Sequence, residues 1–333
     1  MEIQPISDSI YRIPIPVPFP MKYMYSYLVK GKEGWDMIDV GLRYPAAHEA
    51  WLAAFASLRI EPQDVRAIYI THFHPDHVGL AGWMQQLTGA PVLISPVDMQ
   101  MVTNVWGPES YEAALIGQMC RTNGVPEALT SEIVSNMNQL NKSVLPLPLM
   151  TPLTDEEVVL GDEQWRVIAT PGHSDGHLCF YQPQKRLLIC ADHIMEKITP
   201  NISLWPGCRP NPLDDYLESL KSMSELEVDV ALPGHGDLIA DYGGRIRAII
   251  AHHDERLQHM YALAKEGRTA YQVAELLFRE KELTAHQWRF AMAETLAHLE
   301  FLVKRGCLDK SEEKQVVYHA KGKAVISLTT SFV

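Results

Sequence analysis

Thr71-His72-Phe73-His74-Pro75-Asp76-His77 follows directly after the apolar run Ala-Ile-Tyr-Ile at 67–70, and this stretch decides how the chain is interpreted. Four metal-binding side chains fall within six positions, which is far denser than 14 histidines in 333 residues would give by accident. Alternate residues of an extended chain point the same way, so His72 and His74 can reach one ion. Pro75 biases His74 toward extended geometry, and the turn beyond it can aim Asp76 and His77 at a second ion. A two-metal site is therefore expected where a strand gives way to a helix.

Three further short motifs follow along the chain, each just after a predicted strand. They are TPGHSDGH with His173, LLICADHI with Asp192 and ALPGHGD with His235. Glycine beside histidine lets the backbone turn tightly while the imidazole faces a pocket. Each alone is better explained as turn chemistry, but together they supply the remaining ligands of a two-metal site. Imidazole and carboxylate suit zinc, with iron or manganese as alternatives.

Short β-rich runs alternate with amphipathic helices, which indicates a layered α/β architecture. The first half predicts strands at Ile10–Ile15, Tyr25–Lys30, Gly34–Asp39, Ala67–Thr71 and Pro91–Ile94, with helices at Pro45–Leu58 and Val78–Leu87. After residue 150 the predicted strands are Glu157–Leu160, Gln164–Ala169, Leu178–Gln182, Arg186–Ala191 and Asp229–Leu232, with a helix at Leu213–Leu220.

Two segments differ from this pattern. Residues 98–150 are Met-rich and have helical periodicity at Ser110–Cys120 and Glu127–Leu140, which indicates a helical insertion. Met99, Met101, Trp106, Met119, Met137 and Leu140 could line an apolar lid or simply pack onto the body.

From residue 246 the sequence predicts three long helices, at Ile246–Glu266, Thr269–Arg279 and Ala285–Arg305. Two strands are predicted to follow them, at Gln315–His319 and Ala324–Leu328. Three helices and a β-hairpin are the outline of a winged-helix module.

The series Asp39, HFHPDH, His173, Asp192 and His235 resembles the five motifs of the metallo-β-lactamase superfamily, most closely its glyoxalase II-like branch. The resemblance covers about residues 1–240. It implies a four-layer αββα sandwich over residues 1–245, with the helical insertion at about 98–150 and a winged-helix-like domain over 246–333.

Carried over position by position, the resemblance implies two divalent cations. His72, His74 and His173 would hold the first, Asp76, His77 and His235 the second, and Asp192 would bridge both. Asp39 would orient a ligand histidine by hydrogen bond. His177 is a further candidate for such an outer role or a packed turn residue, and His193 is expected to be a bystander.

Such a pair of ions would share one hydroxide as nucleophile, with Asp76 orienting it, so no Ser or Cys is required. The expected activity is hydrolysis of an ester-type bond in a small molecule, such as a thioester, ester or lactone. Two alternatives remain open. The stretches GRTAYQVAELLF and ETLAHLEFLVKRGCL resemble the end of the lactamase-beta-like endoribonuclease family, which implies an endoribonuclease or other phosphodiesterase acting on nucleic acid. The second alternative is a mononuclear iron persulfide dioxygenase, since these enzymes of the same superfamily share several of the ligands.

Composition bears on partners and compartment. The formal net charge is -12, and residues 246–333 hold 13 Lys and Arg against 11 Asp and Glu, so nucleic-acid binding is disfavoured. Five dispersed cysteines without a CxxC pair favour a reducing cytoplasm. Neither a secretory signal nor a membrane helix is expected. The apolar helices after residue 245 could form a homodimer face.

Overall fold

The computed structural model describes residues 2–18, 21–312 and 314–322, and its first half is built on a mixed sheet. Within these residues seven strands pair in chain order: β1 (Gln4–Pro5), β2 (Ile10–Pro16), β3 (Tyr23–Gly31), β4 (Gly34–Ile38), β5 (Val65–Ile70), β6 (Val92–Ile94) and β7 (Met150–Pro152). Strands β1 to β4 are antiparallel neighbours, and β4 to β7 are parallel. The parallel part requires crossover connections, and these are helical. They are α1 (Pro45–Leu58), α2 (Pro75–Val78), α3 (Ala81–Thr88), α4 (Pro96–Trp106), α5 (Glu112–Thr122) and α6 (Glu127–Leu140).

A second sheet follows, with the strand order β12-β11-β10-β9-β8. Its strands are β8 (Glu157–Leu160), β9 (Glu163–Ala169), β10 (Leu178–Gln182), β11 (Leu187–Ala191) and β12 (Val230–Pro233), and α7 (Pro212–Ser224) connects the last two. Strand β10 is antiparallel to both β9 and β11, while β11 and β12 are parallel. Strands β9, β11 and β12 therefore run in the same direction and end at the same edge of the sheet.

The two sheets face each other across an apolar core. Tyr27, Tyr69, Trp165 and Phe180 lie in this core, each buried. Side chains alternate across a strand, so Leu28 of β3 packs instead into the larger cluster that contains Trp51 of α1. Helix, sheet, sheet and helix are thus stacked in four layers, which confirms the predicted αββα sandwich.

The predicted strands of both sheets agree with the structure to within about two residues at their ends. The predicted helix Val78–Leu87 is wrong as one element, because it divides into α2 and α3. The amide of Leu80 donates to the carbonyl of Gly41 at 2.8 Å, outside the helix, and the chain restarts at Ala81.

The C-terminal part consists of α8 (Tyr242–Leu263), α9 (Ala270–Leu277), α10 (Ala285–Lys304), β13 (Leu308–Glu312) and β14 (Val316–Ala320). The order of three helices and a hairpin is as predicted. The hairpin pairs β14 with β13, a strand that was not predicted, while Ala324–Leu328 lies outside the described residues. The expected boundary at 245 falls in the first turn of α8, where the Arg245 side chain donates to the Met195 carbonyl at 2.6 Å.

The insertion and the C-terminal helices pack against each other. Nδ1 of His286 in α10 lies 3.2 Å from Oδ1 of Asn136 in α6. The backbone amide of Tyr271 donates to the Asn123 carbonyl at 3.1 Å. The insertion and the C-terminal helices therefore lie side by side. In the described ranges no helix has the length and apolar character needed to cross a membrane.

Candidate metal centre

The seven predicted ligands all lie at the carboxyl ends of strands. His72 and His74 follow β5, and Asp76 and His77 occupy the short helix α2. His173, Asp192 and His235 follow β9, β11 and β12, whose shared direction brings their ends together. The fold therefore explains how side chains so far apart in sequence meet.

These side chains form three overlapping groups in which the ligand atoms lie within 4.8 Å of one another. The groups are His72, His74 and His173; His72, His77 and Asp192; and Asp76, His77 and His235. The first and third match the two ion positions expected from the sequence.

Asp192 lies between these positions. Its Oδ2 is 3.5 Å from Nε2 of His173 and 3.6 Å from Nε2 of His235, and its Oδ1 is 3.4 Å from Nε2 of His77. One carboxylate thus faces ligands of both groups. This is the placement that a bridging ligand requires.

The side chains present fit a pair of cations. Nε2 of His72, Nε2 of His77 and Oδ1 of Asp192 are buried without a hydrogen-bond partner. Buried polar atoms are normally satisfied, and these three side chains offer ligand atoms within 4.8 Å of one another, which fits a shared cation. Nδ1 of His74 and Nε2 of His173 face each other at 2.9 Å. Five imidazoles and two carboxylates suit zinc or iron.

Asp39 orients two of the histidines. Its Oδ2 lies 2.7 Å from Nδ1 of His77 and accepts a hydrogen bond from the Thr71 hydroxyl at 2.8 Å. That hydroxyl lies 3.0 Å from Nδ1 of His72. Because the Nδ1 atoms are occupied, the Nε2 atoms are left to bind a metal. The structure thus places Asp39 where the resemblance expected an orienting carboxylate.

Backbone carbonyls orient two further imidazoles. Nδ1 of His173 lies 2.9 Å from the Asn201 carbonyl, and Nδ1 of His235 lies 3.0 Å from the Tyr23 carbonyl. Neither carbonyl was foreseen, since nothing in the sequence marks a backbone acceptor.

Asp98 was also missed as a functional candidate. This buried carboxylate accepts hydrogen bonds from the Phe73 amide at 2.9 Å, the Ser174 hydroxyl at 2.7 Å and the Gly176 amide at 2.8 Å. It ties the loop that carries His74 to the loop that carries His173. The sequence feature that stands out at Asp98 is its position three residues after Ser95, the N-cap of α4. That feature predicts the start of a helix and does not predict a functional site.

Gly234 leaves room for Asp192. A Cβ atom at this position would overlap Oδ1 of Asp192 and lie 2.9 Å from Cε1 of His77. The glycine beside His235 is thus required by close approach of the backbone to the ligands, in addition to the turn that the sequence indicated.

His177 and His193 lie beside the centre but outside the three groups. Nδ1 of His177 lies 2.8 Å from the Thr170 hydroxyl, and its ring centroid is 5.0 Å from that of His72. Within the described residues it makes no hydrogen bond to a ligand side chain, so its contact with the centre is ring packing. His193 is fully buried against Tyr216.

The electrostatics of the centre favour anionic carboxylates and divide the imidazoles into two kinds. Although burial lowers the pKa of His77 and of His235, Asp192 outweighs it and raises both pKa values in the absence of metal. Burial raises the pKa of Asp192, but His235 and His77 outweigh it and hold that pKa well below its usual value. Burial, reinforced by His77, lowers the pKa of His72 well below its usual value. Carboxylates and neutral imidazoles are the protonation states that bind metals.

The centre opens into a cavity of about 320 Å³ lined mostly by apolar side chains. Of the predicted lid residues, Met101, Trp106, Met137 and Leu140 line it. Met99 and Met119 instead pack against the core. The C-terminal part adds residues of α10 that sequence analysis did not single out, including Arg289 and Phe290. Ligand-binding cavities are commonly of this size and character.

Comparison with known families agrees with this geometry. Residues 23–235 match the model of the metallo-beta-lactamase superfamily, and residues 257–321 match a metallo-beta-lactamase-like C-terminal domain.

Relatives and solved structures extend the similarity over most of the chain. The probable metallo-hydrolase YqjP of Bacillus subtilis is 25% identical, over 88% of this chain and 91% of that protein. The metallo-beta-lactamase family protein TTHA1429 of Thermus thermophilus has a TM-score of 0.85 at 33% identity, covering 95% of this chain and all of the other. A beta-lactamase domain protein from Burkholderia ambifaria has a TM-score of 0.84 at 26% identity, covering 96% of this chain and 94% of the other.

Proposed function

This chain belongs to the metallo-β-lactamase superfamily, and from that premise we propose that it is a metal-dependent hydrolase of a small molecule with an ester-type bond. A thioester, ester or lactone is the expected substrate. The name of the Bacillus subtilis relative, a probable metallo-hydrolase, supports the reaction class.

The observation that carries this proposal is the position of Asp192 between two groups of histidines. A carboxylate with oxygen atoms 3.4–3.6 Å from His77, His173 and His235 can serve two cations at once. Two bound cations would supply Lewis-acid activation of water and of the scissile carbonyl oxygen.

The protein's own residues would orient the reactants. Asp76, whose Oδ2 lies 3.1 Å from Nε2 of His235, can accept a hydrogen bond from water beside the two groups. Burial raises the pKa of Asp76, but His235 and His77 lower it to about 2, so this acceptor is anionic at neutral pH. The apolar cavity beyond it would exclude bulk water from the acyl part of the substrate.

The cavity favours a small molecule over a nucleic acid. Three basic residues near the C-terminal hairpin are engaged in ion pairs: Lys304 and Arg305 pair with Asp214, and Lys310 pairs with Glu300. These charges are partly neutralised within the protein, so they offer little to a phosphate backbone. We therefore place the endoribonuclease alternative second, and with it a nucleic-acid role for a winged-helix-like module.

We also propose two zinc ions, as in a glyoxalase II-like binuclear site, and a reducing cytoplasmic location. The five cysteines are free, and four of them are buried. Metal analysis of protein purified without added metal separates zinc from the single iron of a persulfide dioxygenase.

Asp192→Ala tests the proposal. We expect the variant to retain less than half of the bound metal, because Asp192 would contribute to both cation positions. Thioester hydrolysis should fall by about 100-fold or more, because activation of water depends on the two cations. Metal content is measured by mass spectrometry and hydrolysis on a panel of acyl thioesters. Glu49→Gln, at an exposed position of α1, is the matched control. Full hydrolysis by metal-free protein would overturn the proposal.

A further inference from the structure

The cavity above the metal centre is lined by a positively charged side chain that the proposed reaction does not use. Arg289 of α10 lines this cavity and is only 6% exposed. Burial lowers its pKa to about 10, so the guanidinium is still charged at neutral pH. A buried charge is costly unless it is paired.

Within the described residues Arg289 has no such pair. No carboxylate oxygen lies within 4.0 Å of its guanidinium nitrogens, and Nε is buried without a hydrogen-bond partner. The hydrogen bond that the guanidinium does make runs from Nη1 to the sulfur of Met137 at 3.0 Å. Thioether sulfur is a weak acceptor, so this contact does not compensate the buried charge.

Glu112 of α5 raises the pKa of Arg289 electrostatically, but the two residues form no ion pair within 4.0 Å. Glu112 is itself buried, which raises its pKa to about 7 in spite of Arg289. Its charge at neutral pH is therefore incomplete. His286, one turn before Arg289, is mainly neutral, because burial and Arg289 lower its pKa to about 4.

Aromatic rings hold the guanidinium in place. Its central carbon lies 5.3 Å from the ring centroid of Trp205 and 4.6 Å from that of Phe290. Rings at these distances favour the cation and restrict the orientation of its planar fork. A restricted guanidinium with unused donors is suited to the two oxygens of a carboxylate.

We propose that Arg289 binds a carboxylate carried by the apolar acyl part of the substrate while the scissile bond lies at the metal centre. The substrate class is then a monothioester or monoester of a dicarboxylic acid. This inference rests on the proposed function for the reaction, but the anion site itself can be tested without turnover.

The binding test uses the metal-loaded, full-length protein. Calorimetric titrations compare dicarboxylates, from succinate to sebacate, with monocarboxylates of equal chain length. Both kinds can place one carboxylate at the metal centre, so the difference between them reports the second carboxylate. We expect at least one dicarboxylate to bind about 10-fold or more tightly than its monocarboxylate partner, which is the effect of a charged hydrogen bond.

In Arg289→Met this ratio should fall to about 1. Arg289→Lys should restore part of it, since lysine keeps the charge but not the fork. Arg305→Met is the matched control, because this exposed arginine at the end of the same helix pairs with Asp214 and does not line the cavity. Its ratio should equal that of the unmodified protein.

Thermal unfolding separates binding from a structural role. An unpaired buried cation costs stability through lost hydration, and an apolar side chain of similar size avoids this cost. We therefore expect the melting temperature of ligand-free Arg289→Met to equal or exceed that of the unmodified protein, whereas a structural arginine would lower it. A lower melting temperature together with an unchanged binding ratio would overturn the inference.

Matched thioesters distinguish the two proposals. If dicarboxylates bind through Arg289 but no thioester is hydrolysed, the proposed reaction fails and the anion site stands. If thioesters are hydrolysed but Arg289→Met leaves the preference between carboxylate-ended and methyl-ended acyl groups intact, the reaction stands and the role of Arg289 is refuted. Failure of every dicarboxylate to exceed its partner also refutes it.

Discussion

Asp39 is the residue on which the orientation of the ligands depends most. It has a positive φ of 58° just after β4, and its two oxygens serve the Thr71 amide, the Thr71 hydroxyl and Nδ1 of His77. A non-glycine residue in this region is strained, and such strain persists only where the surroundings impose it. Here the imposed geometry lets one carboxylate fix two histidines.

Asp39→Asn should weaken metal binding by about 10- to 100-fold without removing any ligand, because the new amide group is a donor where acceptors are needed. Competition with a chromogenic chelator measures the dissociation constants. Asp36→Asn is the control, since Asp36 is equally buried in β4 but pairs with Arg66 and the Gly161 amide, away from the centre. Equal metal affinity in the two variants would contradict this role.

Glu112 should make stability depend on pH. Its pKa is raised from 4.5 to about 7 by burial, so the folded protein keeps a proton that the unfolded chain has released. The folded state thus favours the protonated form of Glu112. The free energy of unfolding should therefore fall by on the order of 3 kcal/mol as pH rises from about 4.5 to 7.

Glu112→Gln removes this titration. The melting temperature of the variant relative to the unmodified protein should therefore be higher at pH 8 than at pH 5. Glu49→Gln, which changes an exposed carboxyl, should differ from the unmodified protein in melting temperature by the same amount at pH 8 and at pH 5. A pH-independent effect of Glu112→Gln would show that its pKa is not raised.

Two helices of the C-terminal part allow a comparison at the scale of elements. Helices α9 and α10 begin with the same capping box, Thr269 with Gln272 and Thr284 with Gln287. Only α10 then contributes His286, Gln287 and Arg289 to the cavity wall. The two caps are similar in chemistry and differ in what they position.

Thr284→Ala and Thr269→Ala should each destabilise the protein by about 1 kcal/mol, the usual effect of losing an N-cap. Only Thr284→Ala should also weaken dicarboxylate binding, because the fraying first turn of α10 carries the cavity residues. Calorimetry and thermal unfolding measure the two effects. A similar loss of binding in both variants would mean that the position of α10 does not govern the cavity.

At the scale of the whole molecule, the metal ligands and the orienting carboxylate Asp39 could be predicted from sequence, whereas the other groups that hold the ligands in place could not. The stretch 71–77 and the three turns that carry His173, Asp192 and His235 are local patterns, and the family resemblance that they carry implied the sandwich. Asp98 was not recognisable, because its partners Phe73 and Ser174 lie 25 and 76 positions away. Arg289 reads as an ordinary helical residue, and its contact with Met137 spans 152 positions. Such roles depend on tertiary packing that no local pattern records.

The central claim is that Asp192 joins two cation positions at the ends of β5, β9, β11 and β12. Anomalous diffraction at the metal absorption edge, from crystals of the metal-loaded protein, tests it most directly. We predict two peaks, one contacted by His72, His74 and His173, the other by Asp76, His77 and His235, and both by Asp192. A single peak, or His173 and His235 turned away from the metal, would contradict it.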